Sequence, residues 1–430
     1  VEGVTHWVVV GAGTAGTVVA ARLLERPEVT VTLLEAGPTT PRPVGDDFTE
    51  AFTWPGRLHD LPVQRTAGGP LLPYRRGRGV GGSGSVNAMV ALVGGPFRAE
   101  HRLPVEAPEP VEIGPIGHAL LAAAPDARPA PLTRRHGHRV STVETYLEPA
   151  REHDPDRLRV VGDATVARVL VRGRRAVGVE LADGRTIDGD RVVLCAGAIH
   201  TPAVLLRSGV DTPGVGEGLQ DHPSTVLTLG YREGLAPPPG SLVVGALLER
   251  GPHQVLPLDH LGVAAPGYGA LMPALMVVHS RGAVRLGASA DDPTAPPEVR
   301  FDLLRDDRDT AGLLGALRLT IELLDHPAFA AIVEEVYVDD RGTTLADLLD
   351  RHPDDAGLAG WLPTHVADYV HASSTCRLGT TVDDTGLLRG YEHLYVCDAS
   401  VFPTVPPVNT NLPTVMLAEH LVTTWARLGR

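Results

Sequence analysis

The sequence has no lysine. All 38 of its fixed basic residues among 430 are arginine. That excludes the lysine of a Walker A phosphate loop, a pyridoxal Schiff base and any lysine nucleophile. Basic residues are also outnumbered by 52 acidic ones, for a net charge of −14. A nucleic-acid partner is not expected, because neutralising phosphates needs a cationic face. Cysteine is scarce as well: Cys195, Cys376 and Cys397 are an odd, widely spaced set with no CxxC. No zinc knuckle or disulfide framework can be built from them, and they read as buried reduced thiols of a cytoplasmic protein. No uncharged run reaches the roughly 18 residues of a membrane span, so no membrane partner is expected. Val1–Trp7 lacks the basic head of a secretory leader. Histidine is plentiful, but His118, His136 and His138 make no convincing ligand set, and no metal is expected.

What is present begins with a βαβ opening. Thr5–Val10 reads as a buried strand, residues 14–25 as a helix and Val29–Leu34 as a second strand ending at Glu35. Residues 74–84 form a loop rich in glycine and arginine, and 85–92 reads as the start of another helix. A helix is expected over 141–150. Leu158–Val161, Val166–Arg172 and residues 176–181 alternate like antiparallel strands, with Asp183-Gly184 as a hairpin turn. Residues 191–195 make a buried strand feeding a helix over 196–208. From 224 to about 363 short apolar strands alternate with proline-rich turns, and a long amphipathic helix covers 303–324. A strand over 391–396 and a closing helix over 412–427 finish the chain.

Between the first strand and helix stands Gly11-x-Gly13-x-x-Gly16, with Glu35 nineteen residues further on. The first glycine permits a tight turn, the second a close approach of backbone to pyrophosphate, and the third helix-on-strand packing. The helix N-terminus offers N–H groups to phosphates. Glu35 can accept from ribose hydroxyls and would repel a 2′-phosphate. This pattern predicts dinucleotide binding and does not separate NAD from FAD. The second loop, residues 78–87 (RGVGGSGSVN), can bring backbone N–H groups against a flat ligand. Near the end, His371 lies among small hydroxyl residues, forty residues before Asn411 in an Asn-Thr-Asn stretch. A histidine there can serve as a general base, although taken alone, as one of 18, it reads more readily as a structural residue. Arg75, Arg76 and Arg78, and likewise Arg134-Arg135-His136, read as solvated basic patches.

Six ordered blocks together resemble the glucose–methanol–choline (GMC) oxidoreductase family of FAD enzymes. They are residues 8–37, 76–90 (RGRGVGGSGSVNAMV), 196–209 (AGAIHTPAVLLRSG), 214–223 (GVGEGLQDHP), 371–379 (HASSTCRLG) and 395–419 (YVCDASVFPTVPPVNTNLPTVMLAE). The resemblance implies an α/β fold, with a Rossmann-like FAD-binding domain and an α+β substrate-binding domain built on an antiparallel sheet. The FAD domain is expected from the separate segments 1–95, 140–223 and 364–430. The substrate domain is expected over 224–363, with a shortened lid or access segment over 96–139.

Carried over residue by residue, the family's base matches His371 and its second active-site member matches Asn411. Gly11, Gly13, Thr14, Ala15, Gly16 and Glu35 match the ADP-binding part, and Val166 the backbone contact to adenine. Val80, Ser83, Asn87 and Val90 match the loop along the pyrophosphate and flavin. Asp398 and Ala399 match the turn at the phosphate and ribityl chain, and Leu412 the pyrimidine end of the flavin. Val86 stands where some members attach FAD through a histidine, so non-covalent FAD is expected. The implied activity is oxidation of an alcohol by hydride transfer to flavin N5, with oxygen or another acceptor taking the electrons. The expected partner is a small-molecule alcohol, bulky rather than methanol-sized, such as a natural-product intermediate. A hydroxynitrile lyase or flavin photodecarboxylase is the alternative within the same family. The sequence His371-Ala-Ser-Ser-Thr departs from the more usual His-Pro-x-Gly-Thr.

Overall fold

The computed structural model describes residues 3–40, 45–238, 240–288, 290 and 292–429; Val1, Glu2 and Arg430, at the ends of the expected FAD segments, lie outside the described residues. Five parallel strands form one sheet in the order Leu394–Val396, Arg191–Leu194, Thr5–Val10, Val29–Leu34, Leu158–Val161. They are almost continuously apolar, as a sheet covered on both faces requires. The helix Thr14–Leu23 crosses between the first two and buries Val18, Val19 and Leu23. The chain leaves the first strand to one side and returns to its other side at Arg191. That reversal opens a crevice at the carboxyl end of Val10, the place where such sheets bind ligands. The helices Gly197–Arg207 and Asn411–Arg427 also begin there.

Leu158–Val161 was expected to pair antiparallel, but it adds parallel to Val29–Leu34. Alternation marks a half-buried strand without identifying its neighbour. Val166–Arg172 and Arg175–Leu181 do pair antiparallel, with Thr186–Asp188 as a third strand. No α-helix forms over 85–92. A single 3-10 turn spans Gly82–Ser85, and then the Asn87 carboxamide accepts from the N–H of Met89, which sits at φ +61°. A side chain bonding its own backbone in this way competes with helix formation.

A second sheet of six antiparallel strands runs Val333–Tyr337, Leu227–Tyr231, Tyr268–Leu275, His253–Leu258, Ala246–Arg250, Arg128–Pro129. One face packs on the helix Asp307–Leu324 through Leu248, Val255 and Leu271 against Leu313 and Leu317. That helix starts four residues later than expected. Asp302 and Leu304 both have positive φ, and Asp306 caps the first turn by accepting from Arg308 N. The opposite face carries Leu256, Ala274 and Met276 and packs against Met89, Val90, Tyr369 and Val408. Residues 96–139, expected as a shortened lid, carry the helix Pro115–Ala123 and the strand Arg128–Pro129, and both are docked on this sheet. The helix is capped by Asp259, whose Oδ1 accepts from Ile116 N and Gly117 N.

A third, mixed sheet orders Glu217–Leu219, Gly282–Arg285, Glu298–Arg300, Leu58–Gln64 and Leu71–Gly77, and places Tyr74 and Arg76 near the crevice. All three cysteines are buried and free. No helix among the described residues is long and apolar enough to cross a membrane. Arg134, expected on a solvated patch, is 2% exposed and ion-paired to Glu112 at 2.6 Å and Asp46 at 3.1 Å.

Candidate active site

The crevice is built from two glycine loops laid backbone on backbone. Gly11 turns the chain at φ +98°, where a Cβ would meet Cys195 O at 2.6 Å. On Gly16 a Cβ would lie 1.8 Å from Gly11 O, so turn and helix packing both need glycine. Ala15 is buried beside it. Gly81, at φ +92°, donates its N–H to Ala12 O at 2.8 Å, and a Cβ on Gly82 would approach Gly13 Cα to 2.8 Å.

Gly13 is different. Its φ of −74° suits any residue, and the nearest atom to an added Cβ would be 3.9 Å away. The protein does not require glycine there, so the free space in front of the helix N-terminus suits a ligand that comes close to the backbone. A pyrophosphate fits that demand. Gly13→Ala is therefore expected to leave the apoprotein's melting temperature within about 2 °C of wild type. It should weaken FAD binding at least tenfold, about 1.4 kcal/mol, in a fluorescence titration. Gly16→Ala, by contrast, should destabilise the apoprotein itself by about 1–3 kcal/mol or more. Equal FAD affinity in Gly13→Ala and wild type would remove the pyrophosphate from this position.

Glu35 is buried and does more than the sequence suggests. Oε2 accepts from Ala12 N at 2.9 Å, while Oε1 accepts from Gly37 N at 2.8 Å and Gly79 N at 3.0 Å. It ties both glycine loops to the second strand. Three of about four lone-pair directions are used, which leaves one for a ribose hydroxyl. Val166 begins its strand two residues after Ala164, whose N–H donates to Glu35 O. In the second loop, Val80 is buried, Ser83 Oγ accepts from Gly77 N, and Asn87 accepts from Arg139 through both its side chain and its carbonyl. Val90 is buried in the apolar wall of the second sheet. Asp398 is buried, and its carboxylate accepts from Gly197 N, Thr201 Oγ1 and Ser400 N, pinning the start of the 197–207 helix beside Ala399. Burial raises its pKa. Thr14 Oγ1 donates to Asn411 Oδ1 at 2.9 Å, so Asn411 and the buried Leu412 stand at the glycine loop.

His371 lies elsewhere in the crevice, in a cluster that the sequence reading did not assemble. Its backbone N–H donates to Asp221 Oδ1 at 3.0 Å, and the N–H of His222 donates to the same oxygen at 2.7 Å. Tyr74 accepts from Ala372 N and donates its hydroxyl to Asp221 Oδ2 at 2.9 Å. Burial and the Asp368 charge push the Asp221 carboxyl up to about 7. All three of its partners donate, which suits the carboxylate. The imidazoles of His222 and His371 meet edge on, Nδ1 to Nδ1 at 3.0 Å and nearly perpendicular. Burial pushes His222 down to about 4; burial, then His222 and Arg76, hold His371 well below the usual 6.5. Just before His371, Val370 adopts φ +56°, which a β-branched residue rarely does, and Arg76 donates to its carbonyl while lying over the Tyr74 ring.

Asp221, His222 and His371 are close enough together to suggest a metal triad. Their donors argue for a hydrogen-bond network instead. Three hydrogen bonds already occupy both oxygens of Asp221, and a 3.0 Å separation between the imidazoles is that of one shared proton.

The strip from Pro406 to Asn411 links the two regions. Pro406 O accepts from His222 Nε2, Asn409 Oδ1 accepts from Gln254 Nε2 at 3.2 Å, and Asn411 reaches Thr14. Gln254 Oε1 in turn accepts from Tyr369, whose ring centre lies 5.2 Å from that of His371. Among the described hydrogen bonds Asn411 makes none to the His371 cluster. His222, Asp221, Tyr74, Gln254, Tyr369 and Asn409 were given no site role from sequence, and Arg76, expected on a solvated patch, instead bonds the Val370 carbonyl beside His371. The only signals were the Asp221-His222-Pro223 block, taken as a family marker, and a second asparagine two residues before the chosen one.

GMC oxidoreductase family models match residues 129–224 and 278–418, as the N- and C-terminal parts of that family. The 5-(hydroxymethyl)furfural oxidase of Methylovorus sp. (strain MP688) is 30% identical over 530 aligned positions, covering 96% of this chain and 97% of that protein. An oxygen-dependent choline dehydrogenase of Xanthomonas axonopodis pv. citri is 28% identical, covering 96% and 94%. Among solved structures, pyridoxine 4-oxidase from Mesorbium loti superposes with a TM-score of 0.86 at 22% identity, over 98% of this chain and 99% of that one. The alignments are longer than this chain's 430 residues, so these relatives carry internal segments that it lacks.

Proposed function

Because the chain belongs to the GMC oxidoreductase family and is thereby an FAD-dependent oxidoreductase, we propose that it oxidises the CH–OH group of a bulky, largely apolar alcohol. His371 is the base in this reading. FAD, when bound, supplies the acceptor for the hydride that leaves the carbinol carbon.

The observation that carries the reading is the placement of His371. Its ring is held by a fixed network in the same crevice as a dinucleotide cradle, and Nε2 has no partner among the described residues. Gly11, Gly13, Thr14, Ala15 and Gly16 would hold the pyrophosphate end, and Glu35 and Val166 the adenosine. Val80, Ser83, Asn87, Val90, Asp398, Ala399, Asn411 and Leu412 would hold the ribityl and flavin parts. Val86 offers no nucleophile, so the FAD is held without a covalent bond.

Neutral His371 takes the hydroxyl proton at Nε2 as the alkoxide forms. We assign the hydrogen bond to the substrate oxygen to Asn409 rather than Asn411. Asn411 is bonded at the glycine loop, to Thr14, whereas Asn409 is bonded to Gln254, whose other partner, Tyr369, stands beside His371. Asn409 Oδ1 is engaged by Gln254, so its amide N–H groups remain to donate to developing negative charge. The wall beside Tyr369, made by Val90, Leu256, Met276 and Val408, favours an apolar body on the alcohol. The internal segments missing relative to the longer proteins favour access for a large one.

An anaerobic visible spectrum tests this directly. The FAD-loaded protein is expected to bleach with bulky aryl or terpenoid-type alcohols and not with methanol or choline. After acid precipitation the flavin should stay in the supernatant. Bleaching by choline or methanol alone would sink the substrate class, and a flavin band that no alcohol bleaches would point to the non-redox members of the family.

A further inference from the structure

We propose that His222 is a positioning residue that sets the tautomer of His371, leaving the Nε2 lone pair of His371 free to take the substrate proton. The proposal rests on His371 being the base and adds the group that makes it one.

The argument is a proton count along three groups. A main-chain carbonyl can only accept, so the 3.1 Å contact between Pro406 O and His222 Nε2 places a hydrogen on that nitrogen. A neutral imidazole carries one N–H, so His222 Nδ1 holds a lone pair. That ring is fully buried, and burial holds it to the low-pKa side, in keeping with the neutral form, against the opposing pull of the Pro406 and Met276 main chain. The lone pair faces His371 Nδ1 at 3.0 Å, and two lone pairs at that distance would repel. The proton therefore lies on His371 Nδ1, and His371 Nε2 is bare.

This lock has a purpose because an unconstrained histidine prefers the other tautomer, with the hydrogen on Nε2. A His371 in that state would face the substrate with a donor and could not take its proton. The tautomer of an imidazole is decided by the bond its far nitrogen makes. Asp221 keeps the two rings in register, since one of its oxygens accepts from the main-chain N–H of both residues. No proton moves through the pair in the ground state. When Nε2 takes the hydroxyl proton, His371 becomes an imidazolium and its Nδ1–H donates to the His222 lone pair as a charge-assisted bond. His222 stays neutral throughout. The other titratable or charged groups around the pair are Asp221, Tyr74, Tyr369, Arg76 and Asp368, the last ion-paired to Arg65 at 2.6 Å.

The test is a long-range 1H–15N correlation spectrum of the FAD-loaded protein labelled at histidine nitrogen, near neutral pH, with His371 and His222 assigned by their variants. His371 is expected to show a protonated Nδ1 and a bare Nε2, and His222 the reverse. A hydrogen on His371 Nε2 in the wild type overturns the proposal, whatever the activity of any variant. His222→Leu fills the space without an acceptor, and His222→Asn returns an oxygen near the position of Nδ1. The leucine variant should shift His371 to the Nε2–H form and slow anaerobic flavin reduction by about tenfold or more, and the asparagine variant should restore much of both. Equal slowing in the two with an unchanged His371 tautomer would reduce His222 to a packing residue. If the leucine variant does not fold, the wild-type spectrum still decides. Failure of the base reading is seen separately, as unimpaired flavin reduction in a protein lacking His371.

Discussion

His371→Ala is expected to fold, to retain FAD and to lose about 10²- to 10⁴-fold in the rate of anaerobic flavin reduction, the range of a positioned general base. Retention follows from the geometry: the glycine loops, Glu35 and Asp398 make their bonds without His371, which touches Asp221 and His222 instead. The pH profile adds a second readout. Burial, His222 and Arg76 all hold His371 below the usual 6.5, so it is neutral, and able to accept a proton, at and above neutral pH. The wild-type reduction rate should be level above the range near 7 where Asp221 titrates and fall on the acid side, in a second, lower step as the imidazole gains a proton. In the alanine variant that lower step should vanish. Stopped-flow absorbance with a reactive alcohol measures both effects. A variant rate within threefold of wild type (on the order of 0.6 kcal/mol) would remove His371 from the base role.

How far such a site can be read from sequence depends on the range of the physics behind each residue. Gly11 and Gly16 were legible because each has a local demand, a positive φ in the turn and a close approach to the Gly11 carbonyl, although the Cys195 carbonyl that also crowds Gly11 comes from far along the chain. Glu35 was legible as an acid at the end of a strand, but its three backbone donors come from residues 12, 37 and 79 and could not be foreseen. His371 was identified through a resemblance rather than its surroundings. The groups that hold it lie 149 residues away in His222 and 150 away in Asp221, and the carbonyl bonded to His222 is a further 184 from that residue. The strand at Leu158 shows the same limit in the fold: alternation predicted a strand, and only the folded sheet reveals Val29–Leu34 as its parallel partner. Arg134 inverts the problem. A run of arginines reads as a wet surface, yet one of them is buried because Asp46 and Glu112 converge on it from distant segments.

The two asparagines of Asn409-Thr410-Asn411 lie two residues apart, and spacing alone gives no reason to prefer either. Their bonds separate them. Asn411 is the first residue of the last helix and shares a hydrogen bond with Thr14, the first residue of the first. Asn409 is fixed by Gln254, which Tyr369 orients in turn beside His371. Asn409→Ala is therefore expected to keep its FAD and lose about 10²- to 10³-fold in flavin reduction, as for one donor to a developing oxyanion. Asn411→Ala should behave oppositely, weakening FAD through the unpaired Thr14 hydroxyl by about 1–3 kcal/mol while the loaded fraction reduces at close to the wild-type rate. Gln254→Leu offers a check on orientation. With its oxygen released, the Asn409 amide is free to rotate, and part of the rate should fall with no change at Asn409 itself. FAD titration and single-turnover reduction of the three variants decide the matter. If Asn411→Ala shows the rate loss and Asn409→Ala does not, the substrate oxygen belongs at the glycine loop, and Gln254 and Tyr369 serve only to pack the wall behind it.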